Sequence, residues 1–249
     1  MIFRLFFLAV FIPIFSGTVG PAVPPAARSA SQSASHGKID GNALAKEVIQ
    51  NELRSEGQDR SQWKFREVRQ QGGKTELYEV VQTKFGEIKR LLSVNGQPLS
   101  GEARRNEERR IRKLIANDEE FQKKQKEKKD DGDQSRKMLA MLPQAFNFHY
   151  DGIQSGLIRL VFTPNLNFHP TDREAEVFHH MEGVLFVTPE QKRLAGIDGL
   201  LTTPVKFAGG LLGHLDKGGT FSVRQKDMGS GHWEITLLDV HMKRQGAIL

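Results

Sequence analysis

The stretch Phe146-Asn-Phe-His-Tyr-Asp-Gly-Ile-Gln-Ser-Gly-Leu-Ile-Arg-Leu-Val-Phe-Thr-Pro-Asn165 decides the fold. Aromatic residues alternate with polar ones from Phe146 to Tyr150, which is the two-residue period of a strand with one buried face. Asp151-Gly152 is a turn signal. The apolar run from Leu157 to Phe162 predicts a second strand that ends at Pro164. The stretch therefore predicts consecutive antiparallel strands.

The same pattern recurs on both sides of this stretch. Further strands are predicted at 63–68, 77–83, 87–94, 176–187, 193–201, 220–225 and 232–241. About nine or ten antiparallel strands must curl or close to bury one face. We therefore predict a β-rich α+β fold. Its curved antiparallel sheet, a half-barrel or open barrel, would carry an N-terminal helix and a charged helical insertion.

The N-terminal helix is predicted from Asn42 to Arg54, where apolar residues recur at helical spacing. Asp40 or Asn42 can serve as its N-cap, and it should end near Gly57. The face that we expect to be buried consists of Leu44, Val48, Ile49 and Leu53.

The helical insertion spans residues 100–142 and is dominated by charge. Ser100 is the expected N-cap, Gly132 should break the helix, and Asp133 can cap a second helix that ends at Pro143. The 13 Lys/Arg and 10 Asp/Glu of residues 100–137 are interleaved and form no basic stripe in the sequence. Two interpretations remain open: a pair of solvated helices, or a mobile cover over a ligand-binding face.

The N-terminus has the pattern of a secretory signal peptide. Arg4 precedes an eleven-residue apolar run from Leu5 to Phe15, and small residues follow. We predict a signal peptide at 1–20 with cleavage between 17 and 35, a disordered linker at 21–39, and a single domain at 40–249. The apolar run is too short to cross a ~30 Å hydrocarbon layer. The mature chain should be periplasmic or secreted, with no transmembrane segment.

Composition restricts how the protein can be stabilised and which partners suit it. The chain of 249 residues contains no cysteine, so neither a disulfide nor a thioether-linked lipid can stabilise or anchor it. Its net charge is +6 and its pI about 9.5, which favours acidic partners. The interleaved charges and the expected export argue against nucleic acid.

No catalytic signature, metal site or cofactor motif emerges from the sequence. Adjacent His179 and His180 would point in different directions on a strand or a helix, so they cannot easily share one ion. Convergence of His169, His180 and His214 in space is the remaining metal alternative. The carboxylates at 172–182 could serve acid–base chemistry, but a solvated strand has the same pattern.

The segment from Gly209 to Gly219 is unusually rich in glycine and leucine. It lacks the order of a phosphate-binding loop, because Lys217 precedes Gly218 and a strand follows. It is either a tight connection between strands or an apolar loop at the mouth of a curved sheet. In the second case its leucines could contact an acyl chain.

Four phrases in the C-terminal half resemble a family of exported proteins of unassigned function from soil bacteria of the acidobacterial type. They lie at Phe162–Pro170, Glu174–Gly183, Lys192–Gly199 and Phe207–Phe221. This resemblance implies no activity. The order of helix, strands, helical insertion and strands resembles in architecture the LolA/LolB-type lipoprotein carriers, which implies a curved half-barrel with helices against its apolar concave face. The chain departs from the lipidated LolB type because it has no cysteine.

These observations favour a binding protein over an enzyme: an exported envelope protein that binds or carries a lipid-like ligand non-covalently. Its partner would be a lipid or the acyl chain of a lipoprotein, or an envelope protein. The candidate lining residues are Phe146, Phe148, Phe162, Leu185, Phe207, Leu211, Leu212 and Leu215. One alternative is an envelope hydrolase that uses His169 and Glu182. Another is a scaffolding protein that binds a partner through the charged helices at 101–134.

Overall fold

The computed structural model describes residues 39–59, 61–84, 86–170, 172–206, 214–229 and 231–241. The expected signal peptide and nearly all of the expected linker lie outside these residues. The described chain forms two compact units. The first contains residues 39–59 and 131–241, and the second contains residues 61–130. The second unit is therefore inserted into the sequence of the first.

Helix α1, Gly41–Gln58, begins the first unit. The Asp40 carboxylate is its N-cap and accepts hydrogen bonds from the backbone N–H groups of Asn42 (3.0 Å) and Ala43 (3.1 Å). The predicted buried face is confirmed for Leu44, Val48 and Ile49, while Leu53 is half-buried. Gly41 packs so closely on the strand that contains Phe148 that an added Cβ would lie 2.8 Å from the carbonyl carbon of Phe148.

The second unit begins with an antiparallel meander of four strands, of which the sequence predicts the first three. Its strands follow the order β1-β2-β3-β4, with β1 at Lys64–Gln71, β2 at Lys74–Thr83, β3 at Gly86–Val94 and β4 at Gln97–Pro98. Asn95 and Gly96 turn the chain with φ values of 50° and 77°, which suit a tight hairpin. Pro98 has no N–H to donate, so β4 is a poor template for a further strand.

Two helices follow, and their boundary differs from the prediction. Helix α2, Gly101–Ala116, begins at the expected cap, where the Ser100 hydroxyl accepts from the N–H of Ala103 at 3.2 Å. The break falls at Asn117, and α3 then runs from Asp118–Ala145 through both Gly132 and Pro143. Its last residues are held by burial of Leu139, Leu142 and Ala145. Tertiary packing thus overrides the local helix-breaking tendency.

Replacing Gly132 by alanine should stabilise the first unit. An added Cβ at Gly132 meets no atom within 4 Å, and the residue lies inside α3. Alanine loses less backbone entropy on folding, so we expect a gain of about 0.5–1 kcal/mol. Urea unfolding followed by circular dichroism measures this change. An unchanged or lower midpoint for Gly132→Ala would contradict the expectation.

The first unit contains a six-stranded antiparallel sheet in the order β12-β11-β8-β7-β6-β5. These strands are β5 at Phe146–Gln154, β6 at Leu157–Pro164, β7 at Met181–Val187, β8 at Leu194–Leu201, β11 at Thr220–Asp227 and β12 at Trp233–His241. A separate two-stranded pair joins β9, Val205–Lys206, to β10, His214–Leu215. Within the described residues the six-stranded sheet is open, and β5 and β12 are its edges.

The structure confirms an α+β fold built on antiparallel strands, but it corrects the expectation of one continuous sheet. The strands are divided between sheets of four and six, because the long helices α2 and α3 intervene between β4 and β5. Two local boundaries also differ. Strand β5 continues past Asp151-Gly152 by means of a bulge and turns at Ser155-Gly156. Residues Arg173–His180 form a 3₁₀ helix, so the strand expected from Glu176 begins only at Met181.

The core of the first unit lies between one face of the six-stranded sheet and two helical segments, α1 and the C-terminal part of α3. Phe146 is at its centre, with ring centroids 4.7 Å from Phe162 and 5.4 Å from Phe178 in edge-to-face geometry. The helices contribute Leu44, Val48, Ile49, Met138, Leu139 and Leu142 to the same cluster.

Candidate functional site

A row of phenylalanine and glycine crosses the middle of the six-stranded sheet. In the strand register Phe162 pairs with Gly183, Gly183 with Gly199, and Gly199 with Phe221. Each phenyl ring lies over the neighbouring glycine: an added Cβ at Gly183 would come 2.6 Å from Cζ of Phe162, and one at Gly199 would overlap the Phe221 ring. The rings are buried in the core. Because glycine has no side chain, Gly183 and Gly199 provide the space that the two phenyl rings occupy.

The opposite face of the same four strands carries an open depression of about 510 Å³. Most of its lining residues alternate with the row just described and therefore point away from the core. They are Val161 and Thr163 on β6, Glu182 and Val184 on β7, Asp198 and Leu200 on β8, and Thr220 and Ser222 on β11. The surface of the depression is mainly apolar. No Lys or Arg is among its lining residues.

A cation–aromatic cluster lies beside the depression on β6, β7, β8 and β11. Arg224 donates two hydrogen bonds to the Asp198 carboxylate, at 2.6 and 2.8 Å. The Arg224 guanidinium also lies 5.1 Å from the ring centroid of Phe186, and the Arg159 guanidinium lies 5.8 Å from it. Arg159 in turn pairs with Asp151 at 3.1 Å. This arrangement fixes the orientation of Asp198 at the edge of the depression.

A buried carboxylate joins α1 to the sheet. Glu52 is only 4 % exposed, and Arg193 donates to it from Nε (2.6 Å) and Nη2 (3.1 Å). The backbone N–H of Leu194 (2.9 Å) and Nε2 of Gln225 (3.0 Å) also donate to it. The guanidinium of Arg193 lies 5.2 Å from the ring centroid of Trp233. Four donors thus converge on one buried carboxylate, which suits a structural role in fixing α1.

The candidate lining residues fall into four groups. Phe146, Phe148 and Leu185 are buried in the core and do not line the depression. Phe162 belongs to both the core and the depression lining. Phe207, Leu211 and Leu212 lie outside the described residues. The backbone of Leu215 lies in β10.

The histidines are dispersed. His169 is exposed in the loop before the 3₁₀ helix, and Nδ1 of His180 lies 2.5 Å from the hydroxyl of Thr203. Burial, followed by the neighbouring His179, lowers the pKa of His180 below its ordinary value. Burial and the Asp59 charge raise the pKa of Glu234. Among the described residues no group of three or more His, Asp or Glu side chains is arranged to hold a metal ion.

The chain matches no protein-family model, and neither a curated protein nor a solved structure shows significant similarity to it. In the part of the chain that the structure describes, no helix has the length and apolar character needed to cross a membrane.

Sequence reasoning missed both the depression and the Glu52 cluster. A signal for the cluster existed, because Glu52 lies three and four residues after Ile49 and Val48 and so falls on the apolar face of α1. The depression had only a weak signal. Its lining residues are the outward half of ordinary alternating strands, and the pairing register that unites them comes from strands far apart in sequence.

Proposed function

We propose that the mature chain is an exported protein of the cell envelope that binds or carries a lipid-like apolar ligand non-covalently. The observation that carries this proposal is the mainly apolar depression of about 510 Å³ on the six-stranded sheet. Its volume lies within the ~300–1,000 Å³ that is usual for ligand pockets. The sequence predicted the ligand on the face of the sheet that the helices cover, but core side chains fill that face. The proposed site lies on the opposite face.

The lining suits an amphiphile better than a purely polar ligand. Val161, Val184 and Leu200 offer apolar groups on three neighbouring strands, so an alkyl chain could lie across them. The hydroxyls of Thr163, Thr220 and Ser222 are available at the same surface for a polar head group. Binding would bury apolar side chains that are now half-buried or exposed.

We also propose that the sheet is curved, as in a half-barrel that wraps the helices. Irregular register occurs in three strand pairs, at Tyr150/Ile153, Phe186/Val187 and Arg224/Gln225. Bulges bend strands and increase their twist. These positions support curvature around the core.

Replacing Val184 by aspartate should weaken ligand binding. A carboxylate at this half-buried position would have to be desolvated under an alkyl chain, so we expect a loss of about tenfold or more in affinity. Displacement of the neutral fluorophore N-phenylnaphthylamine by fatty acids measures the affinity. Mass spectrometry of organic extracts from the purified protein tests for a co-purified lipid.

The matched control is Ile153→Asp, because Ile153 is an apolar side chain on the same sheet, 61 % exposed, that does not line the depression. It should leave probe binding unchanged. Leu200→Asp provides a second substitution in the depression if Val184→Asp folds poorly. Absence of both co-purified lipid and probe binding in the unmodified chain would refute the proposal.

A further inference from the structure

Helix α2 contains three carboxylates, and they differ in burial. Glu107 is half-buried: it accepts from the backbone N–H of Leu91 at 2.8 Å and from Nε of Arg110 at 2.7 Å. The hydrogen bond from Arg110 is the main cause that lowers the pKa of Glu107. Glu108 is also half-buried. The third carboxylate, Glu102 in the first turn, is exposed and lies on the same side of the helix as Arg105 and Arg109, so one negative charge remains on the exposed side.

The exposed side of α2 is rich in arginine. Arg105, Arg109 and Arg112 are all exposed, and at 100° per residue they fall within about 60° of one another around the helix axis. Arg109 donates to the neutral amide oxygen of Asn106. Among the described residues no carboxylate is recorded as an ion-pair partner of these three arginines. We call these three residues the arginine face.

We propose that the arginine face binds the phosphate groups of an anionic phospholipid membrane. The guanidinium fork matches phosphate oxygens in geometry and charge, and three such groups on one side of a helix can meet a negatively charged plane together. Ile115 next to them is 58 % exposed and could enter the interfacial region. Residues 101–116 contain no aromatic side chain on which a nucleic-acid base could stack.

This surface function goes beyond the ligand site and can fail independently of it. The depression lies in the first unit and binds single amphiphiles, whereas the arginine face lies in the second unit and recognises an extended charged surface. Displacement of a soluble fluorophore reports on the first, and vesicle binding reports on the second.

The test is co-sedimentation of the full mature chain with vesicles of phosphatidylcholine, with and without phosphatidylglycerol. We expect binding only with phosphatidylglycerol, and loss of that binding in high salt. The triple variant Arg105→Gln/Arg109→Gln/Arg112→Gln should bind about 100-fold more weakly. All three side chains are exposed, so folding should be retained.

The matched control is Lys123→Gln/Lys126→Gln/Lys129→Gln, which removes the same charge from exposed positions of α3. It should weaken binding much less than the arginine triple variant. An equal loss in the two variants would show that only net charge matters and would overturn the proposal. Equal binding to neutral vesicles would overturn it too. So would tighter, arginine-dependent binding of a single-stranded oligonucleotide than of the vesicles.

Discussion

Replacing Glu52 by alanine is expected to destabilise the first unit by about 3–5 kcal/mol. The substitution removes the acceptor of four hydrogen bonds and leaves the Arg193 guanidinium, whose side chain is only 13 % exposed, without its carboxylate. Urea unfolding followed by tryptophan fluorescence would measure the change. A Trp63→Phe background leaves Trp233, which stacks on Arg193, as the only tryptophan.

The control is Glu47→Ala on the same helix. Glu47 pairs with Lys192 at 2.7 Å, but both side chains are more than two-fifths exposed, so the cost should be about 0–1 kcal/mol. The double variant Glu52→Ala/Arg193→Ala should be less destabilised than the sum of the two single variants, because it leaves no unpaired charge. Strict additivity would contradict a coupled pair.

Replacing Gly183 by alanine should cost about 3 kcal/mol. The added methyl would overlap the backbone carbonyl oxygen of Asp198 on the neighbouring strand and approach Cζ of Phe162 to 2.6 Å. A backbone atom within a sheet cannot rotate away, so β7 and β8 would have to separate. The same tryptophan-monitored unfolding measures the loss.

Two other glycines provide the comparison. Gly132→Ala, in the same unit, should have the opposite sign because nothing surrounds the added Cβ. Gly199→Ala overlaps the ring of Phe221 rather than backbone, so the additional change Phe221→Leu should offset part of its cost. A Gly183→Ala variant within about 0.5 kcal/mol of the parent would contradict the close packing of the row.

Local patterns predicted the elements with strong periodicity. The apolar spacing of α1, the Asp40 cap and the Asn95-Gly96 turn all depend on residues within a few positions of each other, and the structure confirms them. The helix boundaries predicted from Gly132 and Pro143 were wrong, because burial of Leu139 and Leu142 outweighs the local tendency of glycine and proline to end a helix. The 3₁₀ helix at Arg173–His180 was missed since its apolar residues also fit an alternating pattern.

The division into two sheets, the depression and the arginine face depend on contacts between residues far apart in the sequence or on neighbouring elements. The number of sheets depends on whether β4 pairs with a later strand. The alternating patterns of the two halves of the chain look alike, so the sequence alone does not show which strands pair. The depression depends on the register that places Val161 beside Val184 and Glu182 beside Leu200. The segregation of arginine on α2 required knowledge of which side of the helix faces β3, and the sequence alone shows only mixed charge.

The Glu52 cluster also has a consequence for the order in which the chain can fold. Its partners Arg193 and Gln225 come 141 and 173 residues later, so α1 is synthesised long before they exist. Residues 61–130 contain all the strands of their own sheet and can pair as soon as they emerge. Contacts between distant residues form slowly. Helix α1 is therefore among the last of the described elements to dock, and its apolar face stays in contact with water during that interval.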